Sequence, residues 1–191
     1  MTRFLRYFIR RQNDAGVNLI EMALVLGIIG LIVGGIFIAW GSVTTNNKLR
    51  DAGNMVTIII QQVRSVYSNR SSMESASGDN FTNALVQAEL LPRQWQTSSG
   101  AIQNPWGGNV LITPESYSGG SVMDGINISF GMPNQIDCWK FVNNMIGMAR
   151  GEGLYRVDGV NVNVNTNFAS VKSSVCTASS LSLHFTLKSM N

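Results

Sequence analysis

Two places in this 191-residue chain carry side chains whose type and spacing nominate chemistry. The first is Glu21, five residues after Gly16 and the one charged residue between positions 17 and 41. A carboxylate in so apolar a run is expensive, of order 2.5 to 3.5 kcal/mol at the centre of a membrane helix and less near the interface. It needs a cation. A cut between Gly16 and Val17 would create one, because the new amino terminus of Val17 is charged and can approach Glu21 of a neighbouring copy in a packed helix bundle. The second place is the pair Cys138 and Cys176. Neither is flanked by a further Cys or His at metal-ligand spacing, which argues against zinc. In an oxidising compartment the pair reads as one disulfide closing a long loop, worth roughly 3 to 4 kcal/mol in the chain-entropy model. In a reducing compartment it reads as two unrelated thiols, so the choice depends on topology.

The other candidates carry less. His184 is the single histidine, and in Leu181-Ser182-Leu183-His184-Phe185 it alternates to the face opposite the leucines, toward solvent. Acid–base catalysis would need a nucleophile and an orienting acid beside it, which no motif supplies. Gly107-Gly108 after Trp106 lacks the Lys-Ser/Thr and the strand-to-helix setting of a phosphate cradle and reads as a turn. Trp95, Trp106 and Trp139 could stack on bases or sugars, but indole rings more often pack into a core, while Trp40 suits a membrane interface. Asp124, Asp137 and Asp158 do not have the spacing of a calcium loop. No catalytic residue, metal or cofactor is expected.

The elements that must position Glu21 begin with composition. Residues 22–41 are apolar or glycine throughout, long enough to span a bilayer as a helix. The formal charge of +3 lies entirely ahead of this run: Arg3, Arg6, Arg10 and Arg11 stand against Asp14, and the remainder carries ten Lys or Arg against ten Asp or Glu. Arginines so placed keep the start of the chain on the cytoplasmic side and send the rest outward. The neutral remainder removes the bulk-charge argument for nucleic-acid binding. An ordinary secretory signal places its small-residue cleavage site after the apolar stretch, whereas here Asp14-Ala15-Gly16 precedes it. Beyond the bilayer length, Leu49, Ala52, Val56, Ile59, Ile60, Val63 and Tyr67 recur at spacings of three and four, so the helix should continue with one face packed on a domain. A helix over residues 17–67 would be roughly 75 Å long at 1.5 Å per residue. Gly27, Gly30, Gly34 and Gly35 would weaken it while permitting close helix contact.

Residues 68–78 read as a Ser-rich loop. A short helix follows, capped by Asp79 or Asn80, with Phe81, Ala84, Leu85, Ala88 and Leu91 at helical spacing and Pro92 as its stop. Strands are expected over 109–113, 125–130, 154–164 and 181–187, with a helix over 134–148 whose apolar positions are Ile136, Trp139, Phe141, Val142 and Met145. The fold class is α+β, a long helix on an antiparallel sheet.

Gly16 followed by VNLIEMALVLGIIGLIVGGIFI resembles the prepilin peptidase site and hydrophobic amino terminus of type IV pilins. The sixteen-residue leader and the Val as first mature residue are closer to the type IVb subgroup. AELLP at 88–92, NPWGGNV at 104–110 and the two late cysteines resemble the PilS-like type IVb pilins of conjugative plasmids, covering most of the chain. The resemblance implies the type IV pilin fold, with the hydrophobic half of the helix protruding, its amphipathic half on the sheet, and a disulfide from Cys138 to Cys176 bracketing a region exposed on the filament. It implies a leader at 1–16, a helix at 17–67 with 17–41 in the membrane and later the filament core, and a globular domain at 68–191. Cleavage after Gly16, methylation of the Val17 amine and assembly through Glu21 follow from the same likeness. The expected partners are further pilin subunits, the prepilin peptidase, and an inner-membrane assembly platform with its ATPase, with no specific nucleic acid. The precursor would be single-pass in the bacterial inner membrane and the product an extracellular pilus for adhesion or conjugative mating contact. The alternatives are a minor pilin, a type II secretion pseudopilin, or an anchored binding domain that never polymerises.

Overall fold

The computed structural model describes residues 18–67, 73, 78–117, 122–163, 165–177 and 179–187. Helix α1, Leu19–Tyr67, is the first element. By contacts the chain divides between Val43 and Thr44 into two compact units. The first holds the apolar start of α1, and the second holds the remainder of that helix with everything after it.

The second unit is built around a six-stranded sheet in the order β1-β2-β3-β6-β4-β5, in which every neighbouring pair is antiparallel. Its strands are β1 (Ile102–Gln103), β2 (Asn109–Glu115), β3 (Gly125–Gly131), β4 (Leu154–Val157), β5 (Val160–Asn161) and β6 (Ser180–Thr186). The alternation that makes a half-buried strand is visible in each long one: Val110 and Ile112, then Ile126, Ile128 and Phe130, then Leu181, Leu183 and Phe185 all point to one face and are buried. Against that face, in a single hydrophobic core, lie Ala52, Met55, Val56, Ile59, Ile60 and Val63 of α1. Phe141, Val142 and Met145 of α3 (Gln135–Glu152) join them, with the Phe141 ring centroid 5.4 Å from that of Phe130. Met55 belongs to the stripe as well, filling the turn between Ala52 and Ile59.

Three element ends differ from the reading of the bare sequence. Helix α2 spans Gly78–Gln87 and stops well before Pro92. Glu89 takes a left-handed backbone, φ +55°, and a Schellman pair closes the end, Leu90 N–H to Leu85 C=O at 3.1 Å and Glu89 N–H to Val86 C=O at 3.0 Å. The run expected as one strand over 154–164 is a hairpin folded at Asp158-Gly159, the dipeptide that tolerates positive φ at both turn positions. Helix α3 extends past 148 to Glu152 and ends at Gly153, φ +73°. Ile136, expected on its buried face, is 61% exposed because at about 100° per residue it lies on the side of the helix opposite the buried Cys138 and Met145.

Side chains close what the sheet leaves open. Strand β1 covers only Asn109 and Val110 of β2, so the edge at Ile112 would be bare. Thr82 of α2 fills the gap: its hydroxyl accepts from Ile112 N–H at 2.8 Å and donates to Ile112 C=O at 3.2 Å. At the far end of α1, Arg64 Nη2 donates to Glu152 C=O at 2.8 Å and Thr186 C=O at 3.2 Å, tying α1 to the ends of α3 and β6. Thr82→Val keeps the volume but leaves two buried backbone groups unpaired, each costing about 1 to 3 kcal/mol. Chemical denaturation should therefore show a loss of roughly 2 kcal/mol or more, and an unchanged midpoint would contradict this role for Thr82.

Candidate assembly helix and disulfide-closed region

In the first unit, every large apolar side chain of residues 19–43 is at least 44% exposed, from Val33 at 44% to Leu19 at 85%. The most apolar window of α1 has mean hydropathy 2.7 with none of its residues buried. By length and composition it can cross a membrane. A Cβ built on Gly27, Gly30, Gly34 or Gly35 would meet nothing within 4 Å. Among the described residues of this unit, the apolar surface and the small-residue positions are left uncovered.

The start of the helix carries a feature the sequence reading passed over. Asn18 precedes Leu19, its Oδ1 accepts from Ile20 N–H at 3.3 Å, and its C=O accepts from Met22 N–H at 3.1 Å. It is the N-cap of α1. Glu21 then occupies the third helical position, where the helix dipole favours a negative charge. The pairing of Asn18 with Glu21 three residues on is the spacing of a capping box, a signal available from the sequence alone. Gly16 and Val17, the residues nominated for cleavage, lie outside the described residues.

Cys138 and Cys176 are disulfide-bonded, with Cα atoms 5.9 Å apart and a sequence separation of 38. Cys138 lies on α3, which crosses from β3 to β4, and Cys176 lies on the return from β5 to β6 just after helix α4 (Phe168–Val171). The bond therefore joins the two connections that let β6 insert between β3 and β4. Beside it, Lys172 Nζ sits 4.4 Å above the Trp139 ring. Trp106 packs edge-on to Phe141 at 5.7 Å, and Trp95 is also packed on the core, so all three indoles serve packing. The Gly107-Gly108 segment is a turn: Asn104 Oδ1 accepts from Trp106 N–H at 2.9 Å and Gly108 N–H at 3.0 Å.

His184 departs from expectation. It does lie on the face opposite the leucines, yet its side chain is only 12% exposed, with Nδ1 2.7 Å from Glu115 Oε2. The same carboxylate accepts from the Tyr155 hydroxyl at 2.8 Å. A bulge in β4 brings Tyr155 there: Leu154 pairs with Phe185 and Arg156 with His184, leaving Tyr155 as the extra residue. Burial first, then the hydrogen bond to and the charge of Glu115, push the Tyr155 hydroxyl up to about 12, against a smaller opposing effect of Arg156. With its oxygens occupied, the Glu115 carboxylate acts as a lock on the outer sheet face.

The family model described as PilS N terminal matches residues 45–187. The chain belongs to this family. Among curated proteins it is 25% identical over 104 residues to the major structural subunit of the bundle-forming pilus of Escherichia coli, in two strains. That match covers 54% of this chain and 52% of the relative, so the chain spans about half the length of the relatives it matches. Among solved structures, the type IVb pilin from Salmonella typhi superposes with TM-score 0.51 at 22% identity, covering 74% of this chain and 97% of that one. TcpA, a type IV pilin from Vibrio cholerae El Tor biotype, gives 0.53 at 12% identity, covering 72% and 98%. The PilS-family chain has the type IV pilin fold.

The Tyr155 hydroxyl titrates at 10.0 when unperturbed and near 12 in the fold. The stability it contributes is complete below pH 10 and is lost as pH rises through 12, because the unfolded chain releases the proton first. Thermal melts across this window should steepen in their decline for the parent and flatten for Tyr155→Phe; equal slopes would remove the Glu115–Tyr155 lock.

Proposed function

We propose that this PilS-family chain is a structural subunit of a type IVb pilus, with no catalytic role of its own. The observation that carries the reading is an apolar helix whose most apolar window has no buried side chain among the described residues, joined to a domain with a core of its own. A helix of this kind is held by lipid before assembly and by copies of itself afterwards. The family, the fold and the description of the E. coli relatives as pilus subunits all support this.

In finer detail, the precursor is inserted in the bacterial inner membrane with its arginine-rich start in the cytoplasm. Prepilin peptidase cleaves between Gly16 and Val17 and methylates the Val17 amine. Residues 1–16 are then discarded, residues 17–67 form the assembly helix and residues 68–191 the displayed domain. Glu21 receives the Val17 amine of a neighbouring subunit, which neutralises the carboxylate as the helix leaves lipid. An assembly platform and its ATPase drive growth of an extracellular filament used for adhesion or mating contact. The capped helix start supports the role of Glu21, since Asn18 orients the first turn that carries the carboxylate.

Mass spectrometry of sheared filaments should find a chain starting at Val17 with a methylated amine. Filaments built from chains retaining Met1 would overturn the cleavage assignment. Glu21→Ala should be processed at the normal rate yet yield few or no filaments. Wild-type filament numbers from that variant would remove the assembly role of the carboxylate.

A further inference from the structure

Cys176 is held in its bonded position by more than its disulfide. Its backbone is left-handed, φ +61°, a conformation that residues with a Cβ disfavour. Side chains from two other elements grip it. The Cys176 N–H donates to Asp158 Oδ2 at 2.8 Å, and its C=O accepts from Gln135 Nε2 at 3.2 Å. Asp158 also takes the Ser182 N–H on Oδ1 at 2.8 Å, while its own N–H donates to Ser182 C=O at 2.9 Å. One carboxylate thus joins the β4–β5 turn, the cystine loop and the start of β6.

Each anchor is held by contacts other than the sulfur–sulfur bond. Asp158 lies in a hairpin turn set by its own Asp-Gly dipeptide and fixed by the pairing of β4 with β6. Gln135 is the first residue of α3, the helix that carries Cys138, and Asn134 caps that helix by accepting from Asp137 N–H at 2.8 Å. The backbone of Cys176 is thus gripped at both its N–H and its C=O by side chains outside the cystine.

We propose that Asp158 and Gln135 are positioning residues for disulfide formation, holding Cys176 in its bonded conformation while both cysteines are still thiols. Oxidation then closes a preset gap and does not have to organise the region. The chemistry is exchange with a disulfide oxidant. One cysteine thiolate attacks a sulfur of the oxidant, breaking its S–S bond and releasing one thiolate. The second cysteine thiolate attacks the protein sulfur of the mixed disulfide and displaces the other half. The protein gives up two electrons and two protons, and the oxidant leaves as two thiols. The second step is intramolecular, so its rate reports how nearly the two sulfurs are already placed. This inference is independent of the filament reading, since it concerns the subunit alone.

The test uses the full chain in detergent micelles, reduced and then exposed to oxidised and reduced glutathione, with closure followed by alkylation and mass spectrometry. Loss of a charge-assisted hydrogen bond in Asp158→Ala should lower the rate of the closing step and the effective concentration of the thiol pair by about ten-fold or more. Gln135→Ala should act in the same direction by a smaller factor. Amide exchange at Cys176 should be protected in the reduced parent and become fast in reduced Asp158→Ala. Closure at the parental rate in a folded Asp158→Ala chain, or an unprotected Cys176 amide in the reduced parent, would overturn the proposal. If Asp158→Ala does not fold, Gln135→Ala decides, and parental closure in that variant counts against the proposal.

Discussion

Removing the apolar half of α1 from water is the constraint to which the other features of this protein answer. Large aliphatic and aromatic side chains line residues 19–43, and each is worth about 1.5 to 3 kcal/mol when fully buried, so the segment as a whole represents tens of kcal/mol. The second unit buries a different stretch of the same helix. Its helix-binding face is already filled by Ala52, Met55, Val56, Ile59, Ile60 and Val63 from further along the same helix. One helix therefore carries two apolar surfaces with different fates. The face at 52–63 is satisfied within the chain, and the surface at 19–43 calls for lipid or other copies. The proposed passage from membrane to filament is a change of cover for that second surface.

Glu21 fits the same physics. A charge in such a segment persists only when something compensates it, and its position in the first helical turn supplies part of the compensation from the helix itself. Asn18 contributes by meeting one of the orphan amide groups that every helix start exposes, a larger saving in an apolar medium than in water. On the proposed reading the amine of a neighbouring subunit supplies the remainder, so assembly and charge neutralisation occur together.

The globular unit solves a separate problem, that of inserting β6 between β3 and β4 when the chain makes β6 last. Two long connections must cross to allow it, and both are tied down. The disulfide links them, Asp158 fixes the return to β6, and Arg64 clamps the ends of α3 and β6 to α1. The sheet edges are short or covered, with Thr82 standing in for a missing strand at Ile112. On the proposed reading, a subunit packed at high local concentration has reason to keep its edges short or covered against unwanted strand pairing.

Much of this was readable from residue order. Hydrophobic periodicity announces α1, its amphipathic second half and the alternating strands, because a hydrophobic period is a local property of the chain. Local dipeptide and capping signals were present too, in Asp158-Gly159 and in Asn18 with Glu21, and simply carried more than the strand and helix patterns around them suggested. Other features had no local signature. Glu89 ends α2 in a left-handed conformation that glycine usually takes, and His184 alternates outward in its strand yet is covered by Glu115. Glu115 and His184 lie 69 positions apart and meet only because β2, β3 and β6 are neighbours. The sequence by itself determined the membrane-length helix, the strand faces and the placement of Glu21, since these follow from spacing along one element. Strand order, the grip on Cys176 and the outer-face lock were decided by the tertiary structure, because they depend on which elements are brought side by side, and that is settled by packing the whole core at once.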